Sequence, residues 1–313
     1  MKNPRLVVAM IAIVACVTVF AENKVEKQTL VYSIENSDTL RLDRYCLSDN
    51  HSENTLIFAF GGSFKGGERD NKEYIPFFYY LAENGINVVS IDYRTTLGKV
   101  PASQLATIPG FVAGLQEAVT TAVTDLYKAT GFVMANSEQW GINPGKIVLC
   151  GSSAGAITVL QAENVLSNGG LTGVFPDGFN YAGVVSFAGA VCAVGEPVWT
   201  DNTCPLMLFH GDADTVVPYD KVVVNNIGLW GSKHISDALN EKDIPHVFHT
   251  VMGFSHNVCV KPMNDNREEI LRFINEVTST GTLKNITVIS DRAPGVKNYK
   301  TDFTLEDYLR ANM

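Results

Sequence analysis

The ten residues Lys146-Ile-Val-Leu-Cys-Gly-Ser-Ser-Ala-Gly155 decide the fold of this chain. They place an apolar β run directly before a Gly-x-Ser-x-Gly motif and a helix-forming segment, which is the pattern of a sharp strand-to-helix turn, the nucleophile elbow. Gly151 and Gly155 remove side chains that would collide with the tight backbone. The motif therefore predicts that Ser153 is presented at the top of a sheet, with the backbone N–H of Ala154 directed at a developing oxyanion.

Apolar β-rich runs alternate with longer helical segments around this turn, which predicts a mostly parallel sheet with helices on both faces. Eight strands are predicted, at Leu30 to Ile34, Leu40 to Tyr45, Thr55 to Phe60, Asn87 to Asp92, Lys146 to Cys150, Gly183 to Phe187, Pro205 to Phe209 and His246 to Met252. Because no helical segment separates the first two, we expect them to form an antiparallel hairpin at one edge. The predicted helices lie near 73–84, 111–130, 154–167, 220–243 and 264–278.

The first 21 residues differ in character from the rest of the chain. A basic start precedes an uncharged apolar run from Leu6 to Ala21, so residues 1–21 are predicted to be a signal peptide and the protein to be exported. A membrane-spanning helix would need about 20 apolar residues, which is more than this run provides. The stretch that ends at Cys16 also resembles a bacterial lipoprotein box, so the alternative is a lipid anchor at Cys16, which would be the only contact with a membrane.

Residues 22–313 are predicted to form a single α/β domain, because no internal repeat, low-complexity tract or linker divides them. The predicted core spans about 30–278. The C-terminal extension, 281–313, is less regular and contains a possible strand at Asn285 to Ile289 and a short amphipathic helix at Leu305 to Leu309. We expect this extension to pack on the main domain.

Charge and cysteine content exclude some classes of partner. The chain carries 24 Lys and Arg against 33 Asp and Glu, a net charge of −9, and nucleic acid is an unsuitable partner for an acidic protein. The cysteines beyond the predicted signal peptide lack the Cys-x-x-Cys spacing of a zinc site; they are Cys46, Cys150, Cys192, Cys204 and Cys259. In an exported chain some could pair, Cys192 and Cys204 being closest in sequence. Their odd number leaves a free thiol, for which Cys150 is the candidate.

A second motif, Ala59-Phe-Gly-Gly-Ser63, follows a predicted strand. Consecutive glycines let backbone N–H groups approach a substrate oxygen. Gly62 and Ser63 are therefore predicted to join Ala154 as oxyanion donors, the alternative being an ordinary flexible loop.

The segment Phe209 to Pro218 follows another predicted strand and offers an acid that could orient a catalytic imidazole. Both Asp212 and Asp214 are available, and Asp212 could instead be a turn former. His210 is interpreted as structural, because it precedes the acid and a better-placed histidine follows the last strand.

That histidine is His256, in the loop between the last predicted strand and the helix near 264–278. The chain order Ser153, acid, His256 is that of a nucleophile, acid and base built on strand ends. His246 and His249 lie inside an apolar strand and are interpreted as packed or edge residues.

Together these motifs resemble the α/β-hydrolase superfamily, and within it the secreted carboxylesterases of the hormone-sensitive-lipase-like and feruloyl or acetyl esterase type. In that family the last Asp of His-Gly-x-x-Asp is the triad acid, which implies Asp214. The chain departs from the family in two places. Phe60 stands where many relatives carry the histidine of His-Gly-Gly-Gly, and Ser63 replaces the third glycine. The oxyanion loop must therefore be held differently here.

The resemblance implies a serine carboxylic-ester hydrolase that works through an acyl-enzyme, with no cofactor and no metal. Only residues 188–204 separate two predicted strands where related lipases insert a lid, so no large cap domain is expected and the site should be open on that side. An open site and export favour esters with short acyl groups, such as acetyl or feruloyl groups on plant polysaccharide.

Two other functions remain open. A serine peptidase of the same fold is one, although the short stretch before the oxyanion loop cannot form the propeller domain that related oligopeptidases carry. The other is a non-catalytic exported binding module, because fold alone does not fix function. Such modules typically lose the nucleophile or the base, whereas Ser153 and His256 are both present.

Overall fold

The structure is a computed structural model that describes residues 24–48, 52–170, 173–279, 283–290 and 299–312. The predicted signal peptide, with Cys16, lies outside the described residues. Within them, no helix has both the length and the apolar character that crossing a membrane requires.

The described residues form twelve strands and nine α-helices. The strands are β1 (Val25–Glu35), β2 (Asp38–Leu47), β3 (Thr55–Ala59), β4 (Asn87–Ile91), β5 (Ile147–Ser152), β6 (Gly183–Phe187), β7 (Ala190–Val194), β8 (Leu206–Gly211), β9 (Lys221–Val224), β10 (Ile227–Gly231), β11 (His246–Val251) and β12 (Ile286–Ser290). The helices are α1 (Ile75–Glu83), α2 (Ala102–Leu105), α3 (Ile108–Ala135), α4 (Ser137–Trp140), α5 (Ala154–Ser167), α6 (Ser232–Glu241), α7 (Pro262–Asp265), α8 (Arg267–Val277) and α9 (Leu305–Asn312).

Nine strands make the main sheet, in the order β1-β2-β4-β3-β5-β6-β8-β11-β12. The β1–β2 hairpin is antiparallel and lies at one edge, as predicted, and β2 pairs antiparallel with β4. From β4 onwards all neighbours are parallel. The mostly parallel sheet is confirmed, but the predicted number of eight strands is wrong because β12 from the C-terminal extension adds a ninth.

Strands β3, β4 and β5 at the centre of the sheet are buried along their whole length. Helix α3 contacts α5, which lies against β5 and β6, while α1 contacts α8, which also reaches β6. Burial on both faces explains why these strands are mostly apolar rather than alternating. The packing of helices on both faces also holds the carboxyl ends of the strands in place. The candidate site lies at these ends.

The predicted helix over 220–243 is only partly correct. Its second half is α6, but its first half forms the hairpin β9–β10, and this hairpin pairs with β7 in a separate three-stranded antiparallel sheet. The turn is made by Asn225 and Asn226, with φ values of 48° and 68°. Asparagine tolerates this left-handed conformation, and two such residues match the twist of a tight hairpin. The Asn-Asn pair between β-branched residues was the signal for it.

All five cysteines in the described part of the chain are free thiols. Cys192 and Cys204 therefore do not pair. Cys150 is fully buried on β5, and burial raises the pKa of its thiol well above the ordinary value. It acts as a small apolar residue, as the sequence indicated.

Glu163 is a fully buried carboxyl on α5. Its Oε1 accepts the backbone N–H of Cys204 at 2.9 Å, while its Oε2 has no hydrogen-bond partner among the described residues. Burial raises the pKa of Glu163 from 4.5 to about 7. The folded protein therefore holds a proton on this group at pH values where the unfolded chain has lost it.

This difference predicts a loss of stability as the pH rises, because a group whose folded pKa is raised binds more protons in the folded state. Between pH 5 and pH 8, we expect the free energy of unfolding to fall by about 2 kcal/mol more in the wild type than in Glu163→Gln. Urea unfolding of both proteins at the two pH values measures this difference. Parallel pH dependences would contradict a proton on buried Glu163.

Candidate active site

Ser153 sits at the turn between β5 and α5 with φ 52° and ψ −115°, a strained conformation for a residue with a side chain. Its backbone N–H donates to the carbonyl of Phe187 at 2.9 Å, which fixes the turn. A Cβ on Gly155 would lie 2.0 Å from the carbonyl oxygen of Ala59, and one on Gly151 would lie 2.3 Å from the carbonyl oxygen of Gly155. Both glycines are thus required by close backbone approach, and the strain at Ser153 is imposed by the fold.

The three residues Ser153, His256 and Asp214 meet at the carboxyl ends of β5, β8 and β11. The Oγ of Ser153 lies 2.8 Å from Nε2 of His256, and Nδ1 of His256 lies 2.7 Å from Oδ2 of Asp214. They come from widely separated parts of the chain because the carboxyl ends of parallel strands share one edge of the sheet. The result is a continuous hydrogen-bonded line from a hydroxyl to a buried carboxylate.

Asp214 is fully buried, and all its acceptor atoms are used. Oδ1 accepts the backbone N–H groups of Val216 and Val217 at 2.8 and 3.0 Å. Burial alone would raise the pKa of Asp214, but hydrogen bonds from His210 and His256 hold it well below its ordinary value. Asp214 therefore stays ionised at neutral pH and can stabilise a positive charge on His256.

Asp212, the other acid that the sequence offered, has a separate role. Its Oδ1 accepts the backbone N–H of Gly253 at 2.6 Å, and its Oδ2 accepts the hydroxyl of Tyr299 at 2.9 Å. Gly253 belongs to the loop that carries His256. Asp212 thus fixes the position of that loop without touching the imidazole.

His210 lies closer to this chemistry than the sequence suggested. It is fully buried, its Nδ1 is 2.8 Å from Oγ of Ser232, and its Nε2 is 3.4 Å from Oδ2 of Asp214. The structural interpretation is therefore incomplete, because His210 contacts the carboxylate that orients His256. His246 and His249 are buried in β11 as predicted.

The oxyanion loop is held by aromatic residues, with Phe60 where many proteins of the resembled type carry a histidine. The ring of Phe60 stacks on Tyr93 with centroids 4.3 Å apart, and the Tyr93 hydroxyl donates to the Phe60 carbonyl at 2.7 Å. The Tyr74 hydroxyl accepts the backbone N–H of Gly61 at 3.2 Å. Next in the chain, Ser63 and the buried Phe64 both have φ of 55°. Strain of this kind in consecutive residues is typical of a functional loop.

The three predicted oxyanion donors keep their backbone N–H groups free, since none of them donates to another residue in the described segments. Ser63 and Ala154 line the same cleft as Ser153, whereas Gly62 lies outside that lining. The geometry is thus consistent with an oxyanion site between the loop and the start of α5.

A cleft that is partly open to solvent lies beside Ser153. Its walls are mostly apolar and come from α3, the β9–β10 hairpin and α9, represented by Phe111, Leu115, Val222, Leu229, Leu305 and Leu309. The sequence predicted an open site on the side of residues 188–204. The three-stranded sheet of β7, β10 and β9 lines the cleft there, and it is too small to be a cap domain. The sequence did not place the hairpin or α9 at the site.

The described residues contain no group of three or more His, Cys, Asp and Glu side chains arranged to hold a metal ion.

Trp140, Trp199 and Trp230 are all buried, so none presents a surface for stacking on a substrate ring.

Comparison with known proteins supports these observations. The BD-FAE family model matches residues 42–165, which include the oxyanion loop and Ser153. No curated protein matches the chain in sequence.

Several solved esterase structures have a similar fold. A fungal esterase from Rhizomucor miehei has a TM-score of 0.55 and 16% identity over 82% of this chain and 85% of its own. Esterase Est2 of Thermogutta terrifontis, with propionate bound, has a TM-score of 0.57 and 18% identity over 82% of this chain and 97% of its own. A bacterial heroin esterase has a TM-score of 0.55 and 16% identity over 82% and 85% of the two chains. The likeness shows that this chain has the predicted α/β-hydrolase fold. The residues that the structure describes include no large cap domain.

Proposed function

We propose that this protein is a serine carboxylic-ester hydrolase. The observation that carries the proposal is the hydrogen-bonded line from Oγ of Ser153 through His256 to Asp214, with distances of 2.8 and 2.7 Å. In acyl-transfer enzymes this arrangement activates the serine hydroxyl as a nucleophile. Its position at a strained turn beside an apolar cleft fits that role.

The geometry accounts for both steps of the reaction. His256 accepts the proton of Ser153 as Oγ bonds to the ester carbonyl carbon, and the carbonyl oxygen takes up negative charge near the N–H groups of Ser63 and Ala154. The bond to the alkoxy oxygen then breaks, and the alcohol leaves with the proton from His256. Water, deprotonated by His256, attacks the carbonyl carbon of the acyl-enzyme. The bond from that carbon to Oγ breaks, and His256 returns its proton to Oγ, which releases the acid and free Ser153.

The mostly apolar cleft favours esters with an apolar acyl group, from short acyl chains to a feruloyl ring. The Thermogutta terrifontis esterase structure has propionate bound, which is the carboxylate of a short acyl group. Attachment of these esters to plant polysaccharide, and export of the protein or its lipid anchoring at Cys16, rest on the family resemblance and the N-terminal sequence.

A panel of chromogenic substrates tests the proposal. We expect the protein without residues 1–21 to hydrolyse p-nitrophenyl esters from acetate to octanoate, and to leave peptide p-nitroanilides uncleaved. Ser153→Ala serves as the blank. Cleavage of the anilides alone would indicate a peptidase, and inactivity on both series would indicate a binding module. Release of ferulate or acetate from decorated xylan would then test the polysaccharide.

A further inference from the structure

Helix α9 in the C-terminal extension presents one face to the cleft. Leu305, Tyr308, Leu309 and Asn312 line the cleft at the spacing of a single helix face. Tyr308 is buried, and Leu305 and Leu309 are half-buried. The charged side chains of α9 lie on its other sides, where Glu306 and Arg310 are exposed to solvent. The helix thus contributes an apolar wall to the cleft.

Hydrogen bonds fix α9 to the loop that carries the catalytic acid. The Tyr308 hydroxyl donates to the carbonyl of Asp214 at 3.3 Å, and Nδ2 of Asn312 donates to the carbonyl of Val216 at 3.0 Å. On the other side, Nζ of Lys65 in the oxyanion loop donates to the carbonyl of Asn312 at 3.1 Å. Because α9 joins two loops of the site, its leucines are held in defined positions.

The lining of the cleft indicates which half of an ester would enter it. Ser153, Ser63 and Ala154 line it, whereas His256 is not among the described residues that do so. The leaving alcohol must receive its proton from His256 and so lies on the histidine side of Ser153. The group that enters this cleft is therefore the acyl group.

Resting on the ester-hydrolase function above, we propose that α9 is the specificity-determining wall of the acyl cleft, and that Leu305 and Leu309 set the longest acyl chain accepted. A larger side chain at either position shortens the cleft, and a smaller one extends it. A single methylene in an apolar pocket changes kcat/KM by roughly 10- to 200-fold. The length of the accepted chain should therefore respond sharply to these two residues.

Substitution of Leu309 in the protein without residues 1–21 tests the proposal. In Leu309→Trp we expect the ratio of kcat/KM for p-nitrophenyl octanoate to kcat/KM for the acetate to fall at least about tenfold. In Leu309→Ala the ratio of octanoate to acetate should rise about tenfold. Ala311→Trp is the matched control, because it adds the same side chain at an exposed position of the same helix.

The alcohol side provides a second readout. A series of alkyl acetates from ethyl to octyl should keep the wild-type profile in every Leu309 variant. A change confined to this series would overturn the assignment of the cleft to the acyl group. If Leu309→Trp does not fold, Leu309→Ala and Leu305→Ala together carry the test.

Two further results would overturn the role of α9. One is an unchanged acyl-chain profile in folded variants that still hydrolyse the acetate. The other is a similar rise in rate for every ester in Leu309→Ala, which would show that α9 obstructs the entrance. If the wild type hydrolyses no ester, the proposed function is wrong and the α9 proposal falls with it. If the wild type hydrolyses esters but the acyl-chain profile is unchanged in the variants, only the α9 proposal is wrong.

Discussion

Ser153→Ala is expected to lower kcat for p-nitrophenyl acetate by about 10⁶-fold. Alanine removes the Oγ that lies 2.8 Å from Nε2 of His256, so no acyl-enzyme can form. Some rate above that of the uncatalysed reaction should remain, because the oxyanion N–H groups and the cleft are unchanged.

The neighbouring Ser152 offers a matched control. It is also buried, but its hydroxyl donates to the carbonyl of Cys259 at 2.8 Å rather than to His256. Ser152→Ala should lose about 1 kcal/mol of stability and keep kcat within about tenfold of the wild type. A phosphonate probe followed by mass spectrometry should label Ser153 alone. Equal losses in the two variants, or a label elsewhere, would remove Ser153 as the nucleophile.

The positions of Ser153, Asp214 and His256 at the site could be predicted because each follows an apolar strand. In a parallel sheet the carboxyl ends of the strands lie at one edge, so residues far apart in sequence come together there. Gly151 and Gly155 also indicate the tight backbone turn at Ser153. Assignment of Asp214 over Asp212 needed the family resemblance, because both carboxyls lie in the same loop.

The walls of the cleft could not be predicted in the same way. Helix α9 shows its amphipathic pattern in the sequence, but nothing local indicates which surface its apolar face covers. Over the hairpin β9–β10 the sequence prediction is helix, although Asn225-Asn226 is a local turn signal. The contact between His210 and Asp214 depends on how the loop after β8 folds back, and the stacking of Phe60 on Tyr93 joins residues from two strand ends.

Asp214→Asn is expected to lower kcat by about 10⁴-fold, with little change in the acyl-chain profile. The Oδ1 of Asp214 accepts two backbone N–H groups, so the amide oxygen of an asparagine must occupy that position. Its NH₂ group would then point at Nδ1 of His256, which must accept. The proton of His256 would sit on Nε2, facing Ser153, where it cannot accept the hydroxyl proton.

The matched substitution Asp212→Asn separates this tautomer effect from a general disturbance of the loop. Its amide oxygen can still accept the N–H of Gly253, so the loop that carries His256 stays in place, and kcat should fall no more than about tenfold. Steady-state rates of both variants on p-nitrophenyl acetate provide the measurement. Similar losses in the two would mean that the acid acts by holding the loop; a loss confined to Asp214→Asn would mean that the negative charge and the tautomer it imposes on His256 are what the reaction requires.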